Sequence, residues 1–182
     1  MKKVLVLTVG LMLLATSASA YGPAAFAGLW IGEPEGVDEF MTLFGQFELT
    51  QFFLPSDNGI SVAEYKCAVE GPTVVASFGQ VVNPAVQLAD GMYFGGDGIK
   101  VSLECQYDWF AMVTITLGLY SPDPGYIAFM PHGVWGTLNV GGCDPFKTLE
   151  DLNPMNKFGL NQLGIVDNET STWGAIKSLI SE

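Results

Sequence analysis

Four stretches of the chain alternate between apolar and polar positions. In GQFELTQFFL (45–54), Phe47, Leu49 and Phe53 share one face, with Glu48 and Thr50 on the other. In ISVAEYKCAV (60–69), Ala63, Tyr65, Cys67 and Val69 point one way, and Glu64 and Lys66 the other. In IKVSLECQY (99–107), Val101, Leu103, Cys105 and Tyr107 alternate with Lys100, Ser102, Glu104 and Gln106. In AMVTITLGLY (111–120), Val113, Ile115, Leu117 and Leu119 alternate with Thr114 and Thr116. A period of two, rich in β-branched and aromatic residues, predicts strands with one buried face. Shorter candidates are GLWI (28–31), TVVASF (73–78), YIAFM (126–130) and VWGTLNV (134–140).

Glycine and proline punctuate these runs at SDNG (56–59), EGP (70–72), FGGDG (94–98) and SPDPG (121–125), where turns are expected. VVNPAVQLADG (81–91) is less regular and reads as a loop with one helical turn, crossing between sheets. Seven or eight short strands at this spacing predict an all-β fold, an antiparallel sandwich over residues 21–143. After Cys143 the pattern breaks. Residues 144–171 are rich in Asn, Pro, Gly and acids with no sustained period, and read as a loosely packed linker. Residues 172–182 predict a short amphipathic helix, with Trp173, Ile176 and Ile180 on one stripe as a candidate docking tail.

The N-terminus has the form of an export signal. Lys2 and Lys3 precede an apolar run from Val4 to Leu14, and Ala18-Ser19-Ala20 forms a small-residue cleavage site. The run is shorter than the roughly 20 apolar residues that span a bilayer, so no transmembrane anchor is expected. The expected address is outside the cytoplasm: periplasm, cell surface or medium.

Charge narrows the partners. The formal net charge is −12; cleavage after Ala20 removes two of the seven Lys and none of the 19 acids, which leaves −14. The chain has no Arg. Arg is the residue that grips phosphate bidentately, and a basic patch marks nucleic-acid binders, so nucleic acid is excluded as a partner. Apolar residues make up 49% of the chain and charged residues 14%, the opposite of a disordered composition.

An exported chain with three cysteines admits one disulfide and one free thiol. Cys105 and Cys143 each close a strand run just before a polar stretch, which puts them at one rim of the sandwich and predicts a Cys105–Cys143 bridge. Cys67 lies in mid-strand on the apolar face with Tyr65 and Val69, where a thiol packs as a small hydrophobe.

Catalytic chemistry finds little footing. His132 is the only histidine and lacks a nucleophile motif around it, so it reads as structural. No two of the 19 acids are singled out as a hydrolytic pair. Asp90, Asp97, Asp144, Glu150, Asp151, Asp167 and Glu169 fall in expected loops, where calcium finds oxygen ligands, but without an organised spacing; no cofactor is assigned. Among the tryptophans, Trp30 and Trp135 sit in apolar runs and read as core, whereas Trp109, at a turn, is the candidate ligand platform. Asn168-Glu169-Thr170 matches a glycosylation triplet, which carries little weight after a short signal of bacterial type.

The stretches GLWIG (28–32), VSLEC (101–105) and MPHGVWGTLNVGGC (130–143), with the ending Thr172-Trp173-Gly174-Ala175-Ile176-Lys177, resemble a group of secreted bacterial proteins. These carry an immunoglobulin-like or cohesin-like β-sandwich and a Trp-Gly-x-Ile/Val-Lys tail. The resemblance implies the fold; the expected function is that of a secreted or surface protein that acts by binding or structure and not by catalysis, on an unknown protein or glycan partner. A carbohydrate-binding module and a hydrolase with a carboxylate site are the alternatives. On this reading the exported protein starts at Tyr21, and its intact mass lacks residues 1–20; retention of that segment, or a lipid adduct, overturns it.

Overall fold

The computed structural model describes residues 24–41 and 44–161. The four alternating stretches form strands of eight to eleven residues: β3 (Gly45–Leu54), β4 (Ile60–Glu70), β7 (Ile99–Gln106) and β8 (Phe110–Leu119). The shorter runs give β1 (Ala25–Trp30), β5 (Val75–Val82), β9 (Gly125–Met130) and β10 (Asn139–Gly141). Four further strands are β2 (Glu39–Phe40), β6 (Val86–Gly91), β11 (Leu149–Pro154) and β12 (Phe158–Leu160).

These strands form two facing layers. One runs β11–β1–β3–β8–β5; the other runs β6–β7–β4 and continues through β9, β12 and β2. β10 pairs with β4 on one edge and with β11 on the other, and β11 pairs with β1, so β10 and β11 join the layers along one side. Between the layers Phe53 is the hub, its ring 5.3 Å from Tyr65, 5.8 Å from Phe110 and 5.8 Å from Phe129. Phe47 stacks on Phe158 at 5.5 Å and on Phe40 at 4.4 Å at the far end.

The all-β expectation holds, but the count and the pairing do not. Twelve strands are present among the described residues instead of seven or eight. The pairing is mixed, because β1–β11 and β2–β12 are parallel. Of the missed strands, β2 and β12 have two or three residues and β6 lies at an edge, where no periodic apolar face develops, while β11 buries only Leu152. Segment 81–91 is one such case. Asn83 makes a tight turn, its Oδ1 accepting from the Ala85 N–H at 2.8 Å and its Nδ2 donating to the Ala111 carbonyl at 2.7 Å. The chain crosses between layers there, but continues as strand β6 on β7.

The first part of the expected linker is also strand. Residues 149–160 contribute β11 and β12, with Leu152, Phe158 and Leu160 buried. Asparagines do the docking that apolar residues do elsewhere. Asn156 Oδ1 accepts from the Leu29 N–H and Nδ2 donates to the Leu29 carbonyl, both at 2.8 Å. Asn153 donates to the Ala25 carbonyl and Asn161 to that of Ser121. Residues 162–171, the expected helix 172–182 with Trp173, Ile176 and Ile180, and the signal 1–20 lie outside the described residues.

Leu152→Ala and Phe158→Ala are each expected to cost about 2–5 kcal/mol of unfolding free energy, the range for large-to-small changes in a packed core. Urea denaturation checks this; a loss below about 0.5 kcal/mol, the surface range, would return the segment to linker status.

Candidate functional site

The outer face of the β1–β3–β8–β5 layer follows from the strand register. Its rows are Gly28–Phe52–Ala111, Trp30–Thr50–Thr114–Val81, Glu48–Thr116–Gly79 and Gln46–Gly118–Ala76. Small residues and threonines keep the centre flat, and the Thr50 and Thr114 hydroxyls share a hydrogen bond of 2.9 Å. Only Glu48 in these rows is charged, on a chain with 19 acids. That is the composition of a face that meets something other than water.

Aromatic rings border this face at both ends. At one end Trp30 lies over Gly28, with Phe52 at 6.0 Å and Trp109 edge-on at 6.1 Å. Trp30 is only 5% exposed and Trp109 is half-buried, so the ring expected to stand free is instead packed on its neighbour. At the other end Phe78 and Tyr120, with ring centroids 6.1 Å apart, both lean over Gly118. Phe78 sits in a bulge of β5 between Ser77 and Gly79, which turns its ring to the outer face. Phe78 is 52% exposed, Tyr120 51% and Val81 75%.

Among the described residues the exposed tryptophan is Trp135, not Trp109. Trp135, expected in the core, is 48% exposed, because only Asn139 and Val140 of the run 134–140 join the sheet. Its ring stacks on His132 at 4.2 Å, and Lys100 Nζ lies 5.2 Å from its centroid. Lys100 pairs with Glu64 at 3.5 Å, and Glu64 also accepts from the Thr137 hydroxyl. His132 is buried; its Nδ1 accepts from the Val134 N–H at 3.2 Å, and its backbone closes the loop to Gly136 and Thr137. The side chain holds the loop that presents Trp135.

The acidic candidates go separate ways. Asp90 sits on β6 opposite Lys100. Asp144 caps its own loop, accepting from the Phe146 and Thr148 N–H groups at 2.9 Å, and these bonds, that to Thr148 first, hold its carboxyl below the usual range. Glu150 accepts from the Asn58 amide, while Asp97 takes the Gly133 N–H on its backbone carbonyl at 2.6 Å. Asp151 is exposed on β11, and Asp167, Glu169 and Asn168 lie outside the described residues. No three metal-ligating side chains converge among the described residues.

One polar group inside the core escaped the sequence reading. Gln51 is fully buried, with its Nε2 donating to the Tyr93 carbonyl at 2.8 Å and its Oε1 accepting from the Tyr65 hydroxyl at 2.7 Å. The buried Cys67 thiol lies beside Gln51. Burial pushes the Tyr65 hydroxyl well above its ordinary value, with Cys67 and Tyr93 adding to the effect, and burial raises Cys67 as well. Both groups stay neutral in the folded chain and ionise in the unfolded one. Their contribution to stability is therefore complete below about pH 9 and declines as pH climbs past the ordinary thiol and phenol values. Urea midpoints at about pH 8 and about pH 10.5 are expected to fall between the two, with a smaller fall for Tyr65→Phe. An equal fall in both proteins would place the cause elsewhere.

No sequence family and no curated protein matches the chain. Solved structures do. The sixth cohesin of Acetivibrio cellulolyticus scaffoldin B, crystallised with a Cel5 dockerin mutant, has a TM-score of 0.52 at 11% identity, over 77% of this chain and 99% of that one. The seventh ScaB type I cohesin of Pseudobacteroides cellulosolvens has a TM-score of 0.48 at 9% identity, over 79% and 96%. A non-cellulosomal cohesin of the hyperthermophilic archaeon Archaeoglobus fulgidus has a TM-score of 0.43 at 12% identity, over 80% and 93%. The first of these likenesses shows a cohesin-like β-sandwich, in line with the resemblance drawn from the sequence; at such identity it speaks for the fold alone.

Proposed function

We propose that the chain is an exported, non-catalytic binding domain that docks a protein on the outer face of its β1–β3–β8–β5 layer. The observation that carries this reading is the nearly uncharged, flat face with exposed Phe78, Val81 and Tyr120 at its border. Exposed aromatic residues around a face depleted of charge have the make-up of an interface centre. The fold supports a protein as the ligand, since a cohesin of like fold was crystallised with a dockerin. The N-terminal signal supports an extracellular or periplasmic setting.

The exposed ring of Trp135, bordered by Lys100 and Glu64, favours sugar binding as the second reading. Two experiments separate them. Exported proteins of the source cell are passed over the immobilised chain and over a Phe78→Ala/Tyr120→Ala variant of equal thermal stability. A bound protein whose affinity falls at least about thirtyfold in the variant, a hot-spot loss of about 2 kcal/mol, supports the protein-docking face. Unchanged capture rejects it. A glycan array that lights up with the native chain and goes dark with Trp135→Ala would move the function to the other layer.

A further inference from the structure

We propose that Cys105 and Cys143 close a disulfide that ties the end of β7 to the end of β10 across the first residues of β4. The two strands flank β4 on opposite edges: β7 pairs Gln106 with Ile60, and the Cys143 N–H donates to the Asn58 carbonyl at 2.8 Å. Between these anchors stands Gly59, with φ +70°. A Cβ there would lie 2.8 Å from Cys143 Sγ and 2.8 Å from the Tyr107 ring. The missing side chain thus leaves the space in which groups from the two flanking strands meet.

They do meet. Cys143 Sγ and the Tyr107 ring converge on the same point above Gly59. Burial raises the pKa of Cys143, and Cys105, two residues before Tyr107, is the thiol close enough to add to that rise. Strict alternation would send Cys105 into the core. The pairing of β4 with β7 slips between Ile60 and Val62, so that Ile60 faces Gln106 while Val62 faces Ser102. The irregularity turns Cys105 outward, where it is exposed, whereas Cys143 is half-buried. Cys67 takes no part, since it is fully buried in the core.

The bond needs a disulfide oxidant. The exposed Cys105, as its thiolate, attacks one sulfur of the oxidant and expels the other as a thiol. Cys143 then displaces the oxidant's remaining half from Cys105. Two S–H bonds break and one S–S bond forms, and the two electrons and two protons leave with the reduced oxidant. The exporting route implied by residues 1–20 leads to compartments where such bonds persist.

Oxidised glutathione, added to the reduced full chain, is the probe. Both thiols fall in the tryptic peptide 101–147, and Cys67 falls in 67–100. The expected product is a monomer lighter by two hydrogen atoms. After denaturation and alkylation its peptide 101–147 carries no label, and its peptide 67–100 carries one. The melting temperature is expected to rise by roughly 10 °C on oxidation, as the chain-entropy effect of a loop of this length implies. Cys105→Ser and Cys143→Ser should each abolish that rise. Labelling of both residues after oxidation, a bridge that includes Cys67, or a dimer linked through Cys105 would each overturn the assignment. The peptide map of the native sequence decides the matter even where a serine variant does not fold.

Discussion

Strand β4 is the constraint on which the rest of the molecule depends. It is paired along both edges, with β7 on one side and β10 and then β9 on the other. A strand paired on both edges cannot slip in register without moving its whole inward set to the wrong face. Tyr65 and Cys67 are therefore pinned opposite Phe53 and Gln51 of the other layer. The same pairing fixes Glu64 beside Lys100, which steadies the loop that carries Trp135. It also fixes Gly59 between two cysteine-bearing strands. Core, loop and thiol pair are three consequences of one strand's pairing.

The parts of the fold legible in the sequence are those in which a strand buries one face over many residues. β3, β4, β7 and β8 satisfy this, and alternation locates each of them. β6 does not, because it is an outer strand whose side chains are mostly exposed; with no buried face there is no period to read. β11 and β12 fail for a different reason. Only Leu152, Phe158 and Leu160 go inside, and asparagine amides take over the attachment. An amide side chain carries a donor and an acceptor, as the peptide group does, so Asn156 meets both polar groups of Leu29 as a neighbouring strand would. Composition cannot separate such an asparagine from one in a solvated loop. The difference lies in what faces it.

The candidate face was half legible. The period of AMVTITLGLY places Thr114 and Thr116 outward, and the register adds Gly118, Gly79 and Ala76 to the same surface. What the sequence conceals is the bulge in β5, which moves Phe78 from an alternating position to one above Gly118. Bulges re-aim single side chains without a marked sequence signal. A similar slip turns Cys105 outward, so the proposed bond to Cys143 would form on the outer surface of the layer and not on its buried side. Trp109 and Trp135 exchange their expected roles on the same principle. The turn after β7 lays Trp109 against Trp30, while the loop closed by His132 lifts Trp135 away from the sheet.

Charge completes the argument for a face. Carboxylates repel one another, and a strongly acidic chain spreads them wherever water reaches. Here the outward rows of β1, β3, β8 and β5 contain a single acid, Glu48, whereas the other layer has Glu64, Lys100 and Asp90 side by side across three strands. The two layers pack on a common core, so folding alone does not demand this asymmetry. Threonine, alanine and glycine suit either a wet or a dry surface, but Phe78, Val81 and Tyr120 lose free energy in water at about 25 cal/mol for each Å² of apolar area left uncovered. The proposed docking face would cover three such residues, set around a surface from which charge is nearly absent.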